Sequence, residues 1–306
     1  MNYAYTSARV RALENSLPSS DTIRQLADAG SVAECIGILN GAGFEGSDAD
    51  EIMKRMKERK EALINELIDD TREIEIIFYP KSFHNLKAAI KKLYSKRKTD
   101  MFYDDAPLKG EEIMEALENG NEASLPAYMS AVAAEAYRAL MRTGDGRLAD
   151  MIVDRACLEA MADFAAKTKH EILKSYANET IAASDIRLAL RAGDDCSLLD
   201  YAVSCDYFSK SALIKAAEEG SLDELLKSAG FEGVTAATVD AFSEGRIADI
   251  LAKEKYNIFS PAPAINFILE FERAAGIIRY ILICKANGID KEKIFERVRS
   301  LCIERR

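Results

Sequence analysis

Apolar residues recur at helical spacing along almost the whole chain, and little interrupts them. Its 306 residues include six prolines, sixteen glycines and no tryptophan. So few breakers and turn formers cannot supply the many tight turns of a β-sandwich or barrel. Between Asp50 and Asp69, the residues Ile52, Met56, Leu63 and Leu67 form one stripe, with Lys54, Arg55, Lys57, Arg59 and Lys60 largely around it. Phe271, Ala275, Ile278 and Leu282 repeat this spacing near the C-terminus, as one face of a buried helix does. The segment from Ile74 to Tyr79 is rich in β-branched and aromatic residues, as a short strand would be. Helical patterns flank it and no partner strand is visible, so it too is expected to be helical. The expected class is all-α.

Two connectors divide this helical text. One is Asp104-Asp105-Ala106-Pro107-Leu108-Lys109-Gly110, and the other is Gly193-Asp194-Asp195-Cys196-Ser197. They separate three parts, 1–103, 104–195 and 196–306, and the parts repeat one another. Leu26-Ala27-Asp28-Ala29-Gly30-Ser31 and Ala42-Gly43-Phe44-Glu45-Gly46 in the first part match two stretches of the third. These are Ile214 to Ser221 and Ala229-Gly230-Phe231-Glu232-Gly233. The second part carries a looser copy, Ile113 to Gly120. Each copy reads as a short amphipathic helix closed by glycine in a left-handed cap. Near the end of each part stands an aliphatic residue, a cation and another aliphatic residue, centred on Lys87, Arg187 and Arg279. Repeats of this length are too long for a helical-hairpin solenoid, so each part is expected to be a small helical bundle.

Charge and motif content exclude several functions. Forty-one Lys and Arg against fifty-one Asp and Glu leave a formal net charge of −10, which disfavours nucleic acid. No phosphate-cradling glycine loop is present. Gly144-Asp145-Gly146-Arg147 sits between helical patterns and reads as a turn. His170-Glu171-Ile172-Leu173-Lys174 misses the zinc-protease motif, because Lys174 stands where the second histidine ligand belongs. With only His84 and His170 in the chain, most Ser/His and Cys/His mechanisms have no base. The pairs Asp69-Asp70, Asp104-Asp105 and Asp194-Asp195 lie at element ends or in connectors, where Asp serves capping and solubility. No catalytic residue, cofactor site or metal site is therefore expected. The six cysteines are scattered without a C-x-x-C pair and read as reduced thiols. No signal peptide opens the sequence, and no stretch is apolar for the length of a membrane span, so a cytoplasmic chain with no membrane insertion is expected.

The opening Asn2-Tyr3-Ala4-Tyr5-Thr6-Ser7-Ala8-Arg9-Val10-Arg11-Ala12-Leu13-Glu14 resembles the start of the C-type subunit of the archaeal and bacterial V-type (A-type) ATPases. That family is related to the d-type subunit of the eukaryotic vacuolar ATPase. Phe83-His84-Asn85-Leu86-Lys87-Ala88 is similar to the family's close of its first repeat, and Ile278 to Leu282 with Lys285-Ala286-Asn287-Gly288 extends the similarity to the C-terminus. One departure concerns Asn85, whose counterparts in the later repeats are Asp185 and Ile277, where the family usually keeps a polar Asn.

The resemblance implies three similar helical bundles in a pseudo-threefold, funnel-like arrangement. It also implies a non-catalytic central-stalk (rotor) component of the ATPase, a socket linking the central shaft to the membrane proteolipid ring and transmitting torque. Its partners would be the shaft subunits and that ring, and it would sit peripherally on the inner face of the membrane. Loops recurring once per repeat are the candidate contacts: Ala42, Gly43, Phe44 and Glu45; Asn119, Gly120 and Asn121; Gly230, Phe231 and Glu232. The alternative reading of the residues is a free-standing helical-repeat scaffold or a regulatory protein-binding module.

Overall fold

The computed structural model describes residues 3–96, 101–193 and 195–301. In chain order the helices are α1 (Tyr3–Leu13), α2 (Ser20–Asp28), α3 (Val32–Gly41), α4 (Ala49–Leu67), α5 (Tyr79–Ser95), α6 (Gly110–Glu118) and α7 (Ala127–Thr143). They continue with α8 (Gly146–Lys167), α9 (Glu171–Ala192), α10 (Lys210–Glu218), α11 (Leu222–Ser228), α12 (Val239–Lys253), α13 (Ala262–Ala286) and α14 (Lys291–Leu301). No strand occurs among the described residues, and the fold is all-α. The β-branched segment before Pro80 is 3₁₀-helical over Thr71–Phe78 and runs directly into α5, where Pro80 sits in the first turn without losing a helical bond. Its Ile74, Ile76, Ile77 and Phe78 are buried.

The helices form two compact units. One combines the N-terminal segment, through Thr71, with the C-terminal segment from Ala248; the other is Arg72–Ile247. The hub of the first is α13, which packs against α1, α2, α3, α4 and α14. Phe267, Phe271 and Ile278 on α13 are buried, as are Leu26, Leu39, Ile52 and Leu67 on the N-terminal helices. The stripe on α4 holds as expected, whereas Ala275 on α13 is only half-buried. Polar contacts tie the two segments together. Lys60 Nζ meets Glu272 Oε1 at 3.0 Å, Lys255 Nζ meets Glu14 Oε1 at 2.9 Å, and Lys285 Nζ donates to the Ala27 carbonyl at 2.7 Å.

In the second unit α8 is sandwiched by α5, α7 and α9. Tyr79, Phe83, Tyr128 and Phe164 form its aromatic centre, with ring centroids 4.6 to 6.3 Å apart. Burial and the hydrogen bond to Glu75 push the Tyr79 phenol far up, so it stays neutral. The end of α9 continues into a further apolar cluster that takes in Leu199, Phe208, Leu213, Leu226, Phe231 and Val239.

The expected left-handed glycine closes α6 at Gly120 and α10 at Gly220, with φ of 62° and 70°. It does not close α2. There Ala29 leaves the helix in extended conformation, and Gly30 gives its N–H to the Glu34 carboxylate at 2.7 Å. Ser31 caps α3 by accepting the Glu34 N–H at 3.2 Å while Glu34 reaches back to Gly30, so the start of the next helix, rather than the end of the last, dictates the backbone at Gly30. Cys35, Cys157, Cys196, Cys205 and Cys284 are free thiols, as the sequence suggests, and Cys302 lies outside the described residues.

Candidate functional site

The loop after α3 closes in two steps. The Ala42 N–H returns to the Ile38 carbonyl at 3.0 Å and the Phe44 N–H to the Leu39 carbonyl at 2.9 Å. Such a closure needs a residue with positive φ between them, and Gly43 supplies it at 85°. The loop after α11 repeats the arrangement. Ala229 bonds to Leu225 at 3.0 Å, Phe231 bonds to Leu226 at 2.8 Å, and Gly230 sits at 77°. A side chain at either glycine would be strained. Gly230→Ala should lower stability by about 1 kcal/mol, read by thermal denaturation of the full chain against a Gly276→Ala control on α13.

Both aromatic rings turn inward. Phe44 is 5% exposed and Phe231 is fully buried. Each lies under a cation fifteen residues further along: the Arg59 guanidinium is 5.8 Å from the Phe44 ring centroid, and Arg246 is 4.6 Å from that of Phe231. The rings thus anchor the loops, while Ala42, Gly43, Glu45, Gly230 and Glu232 face solvent. Glu45 reaches Arg55 at 3.4 Å, and Glu232 reaches Lys227 at 3.0 Å. Beyond Glu45 the turn is held by Asn40, which accepts the Gly46 N–H at 2.8 Å and donates to the Gly46 carbonyl at 3.1 Å. The Ser47 N–H and hydroxyl, with Arg55, then hold the Glu51 carboxyl down to about 2.

Asn119, Gly120 and Asn121 are exposed as well. Here the Asn121 N–H bonds to Ala116 at 2.8 Å, as the Ser221 N–H bonds to Ala216 at 2.9 Å, so this loop shares its geometry with the end of α10. Helical periodicity and the repeated glycine text do not disclose the cation–aromatic pairing of the two phenylalanine loops. The equal spacing from Phe44 to Arg59 and from Phe231 to Arg246 is the signal that marks it.

Arg246 does more than cover a ring. Its guanidinium also lies 4.9 Å from the Tyr207 ring centroid, donates to the Tyr207 hydroxyl at 2.7 Å and to the Gly230 carbonyl at 3.2 Å, and forms an ion pair with Glu179 Oε1 at 3.0 Å. Glu179, on α9, is completely buried and also accepts from the Tyr207 hydroxyl. A second unanticipated feature is the turn between α12 and α13. There Tyr256, Ile258 and Phe259 are exposed, Phe259 by 80%. Arg11 lies 5.2 Å from the Tyr256 ring centroid.

Elsewhere the candidate chemistry resolves into local structure. Gly144 to Arg147 is the turn between α7 and α8, capped by the Asp145 carboxylate on the N–H groups of Arg147 and Leu148. His170 precedes α9, where burial and Lys169 hold its imidazole below the usual range. Lys174 pairs with Glu171 at 2.6 Å. Asp105 binds Lys81 at 2.5 Å; Asp195 takes the Ser197 hydroxyl, and Asp194 lies outside the described residues. Of the repeated cations, Lys87 pairs with Asp154 at 2.6 Å and Arg187 with Asp240. Among the described residues no group of three or more His, Cys, Asp and Glu side chains could hold a metal ion. No helix of the described residues is long and apolar enough to cross a membrane.

What remains is an all-helical chain whose surface loops are backed by buried rings. No curated protein matches it. The sequence model of the ATP synthase (C/AC39) subunit family, however, matches residues 6–297, and the chain belongs to that family.

Proposed function

We propose that the chain is a non-catalytic central-stalk subunit of a V-type or A-type ATPase. It is a socket that joins the central shaft to the membrane proteolipid ring and transmits torque between them. The observation that carries this reading is the family match over nearly the whole chain. A torque-bearing adaptor must resist bending. The long, mutually packed helices and the tying of α4 to α13 through a shielded ion pair suit that demand. On this reading the chain is built of three repeats, 1–103, 104–195 and 196–306, and sits peripherally on the inner face of the membrane.

The recurrent loops would make the contacts through their exposed parts, Glu45, Asn119, Asn121 and Glu232, with Phe44 and Phe231 fixing the backbone beneath. The apolar turn of Tyr256, Ile258 and Phe259 adds exposed aromatic surface of the kind that protein interfaces bury. Purification from native membranes tests the assignment. The chain should copurify with the nucleotide-binding subunits and the proteolipid ring, and chaotrope should release it without detergent. Recovery as a lone soluble protein would refute the assignment and favour a free-standing scaffold. Phe259→Ser should weaken retention in the complex while changing the stability of the isolated chain by less than about 0.5 kcal/mol, as exposed substitutions do.

A further inference from the structure

Asn85 on α5 acts as a clasp for the loop that leads into α6. Its Nδ2 donates to the carbonyls of Tyr103 and Leu108, each at 3.0 Å, and its Oδ1 accepts the Tyr103 N–H at 2.7 Å. Asp185 on α9 stands one hundred residues later, and the same interval separates Tyr103 from Val203 and Leu108 from Phe208. One half of the clasp is preserved, since the Val203 N–H donates to Asp185 Oδ2 at 2.9 Å. The other half is chemically altered. Where Asn85 has an N–H₂ facing two carbonyls, Asp185 has Oδ1, which is buried and accepts no hydrogen bond. In the register where the Asn85 amide meets carbonyls, a carboxylate oxygen can only accept, whereas a carboxylic acid O–H can donate, alongside the Cys205 N–H that already reaches the Phe208 carbonyl at 3.0 Å. The third counterpart, Ile277, is buried and has no polar arm.

The surroundings favour the acid. Asp185 is 1% exposed and sits in the cluster of Ala182, Ile186, Leu199 and Phe208. Burial pushes its carboxyl up to about 7, against the opposing pull of the Val203 N–H and of Lys210 at the start of α10. The Lys210 amine is engaged by the Asp200 carbonyl. The Cys205 thiol also interacts with Asp185, and burial pushes it up and keeps it neutral. Further along the loop, Asn178 holds Asp206 by two bonds, of 2.7 and 2.9 Å.

We propose that Asp185 is held as the carboxylic acid in the folded chain, its Oδ1–H donating to the carbonyls of the Val203–Phe208 loop as the Asn85 amide does, so that this loop loosens as the medium turns alkaline. The linkage has a definite sign. In the unfolded chain the group ionises near pH 4, while in the fold it keeps its proton to about pH 7. The folded state therefore binds the extra proton between these values. The contribution is complete below about pH 4 and is lost as pH rises through about 7.

Two measurements on the full chain test this. Asp185→Asn restores the amide clasp. Its Tm should lie above that of the natural chain at pH 8, and the gap should narrow steadily on acidification to pH 5. A variant that is less stable at pH 8, or a gap that does not depend on pH, would overturn the proposal. Hydrogen exchange of the natural chain gives an answer even if that variant fails to fold. After correction for intrinsic rates, peptides covering 202–209 should lose protection between pH 6 and pH 8, while those covering 101–109, clasped by Asn85, keep it. Equal behaviour of the two loops would overturn it as well.

Discussion

Replacing Phe271 with alanine should release the N-terminal and C-terminal segments of the chain together. Phe271 is 2% exposed on α13, the helix that contacts α1, α2, α3, α4 and α14. Truncating a buried phenylalanine removes its transfer free energy and leaves a cavity, at a cost of about 3–5 kcal/mol. For a compact unit of this size, that corresponds to a drop in Tm on the order of 10 °C. The location of the loss is more diagnostic than its size. Because α13 is the common support, hydrogen exchange should accelerate in α1 to α4 as well as in α13 and α14. Loss confined to α13 would mean that the N-terminal helices hold a core of their own. Glu272, the next residue, meets Lys60 of α4, so the change at Phe271 also disturbs the anchor of a shielded ion pair.

That pair marks the limit of what periodicity can disclose. On α4 the stripe of Ile52, Met56, Leu63 and Leu67 is legible because each residue is apolar and helical spacing keeps them on one face. Lys60 occupies the same stripe, one turn beyond Met56, yet as a lysine it joins the solvated cations around it. It is in fact buried, because Glu272 meets it from 212 residues further along. A local pattern records which face is apolar but not which charge has a distant partner. Gly30 fails to cap its helix for a related reason. A glycine after a helix permits a left-handed ending, but Ser31 and Glu34 impose the geometry of the helix that follows.

The candidate loops divide along similar lines. The shared Ala-Gly-Phe-Glu-Gly text correctly indicates two equivalent turns as far as the phenylalanine, where the hydrogen bonds and the φ angles of Gly43 and Gly230 coincide; the closing glycines differ, Gly233 taking a positive φ that Gly46 does not. Its most conspicuous residue, the phenylalanine, faces the core in both. The ring after a left-handed cap packs back on its own helix, which sequence identity alone does not distinguish from display at the surface. The exposed turn of Tyr256 to Phe259 carries no repeat and no motif, so neither kind of signal points to it. Asp185 is the reverse case: its departure from Asn85 is plain in the sequence. Its chemical meaning emerges only when burial and the orphaned Oδ1 are known.

The other large effect is expected at Arg246. Converting it to methionine keeps much of the apolar stem over Phe231 but removes the guanidinium that meets Glu179, the Tyr207 hydroxyl and the Gly230 carbonyl. Glu179 is 0% exposed, and its Oε2 already lacks a hydrogen-bond partner. Without Arg246 the carboxylate retains the Tyr207 hydroxyl on Oε1 and loses its cation in an apolar setting. Breaking a fully buried pair from one side costs about 3–5 kcal/mol. The Arg246 side chain is 28% exposed, so water screens part of that loss and a cost of about 2–3 kcal/mol is expected. The double variant Glu179→Met with Arg246→Met discriminates between explanations. If the single change acts by stranding a buried charge, removing that charge should recover a good part of the lost Tm. If Arg246 acts mainly by packing against Tyr207, Phe231 and Phe242, the second substitution should recover nothing and add its own cost. The same comparison reaches the candidate loop, because Arg246 is hydrogen-bonded to the Gly230 carbonyl, near Glu232. Exchange at the amides of 228–233 should rise in the single variant and stay raised in the double, since neither restores the bond to the Gly230 carbonyl.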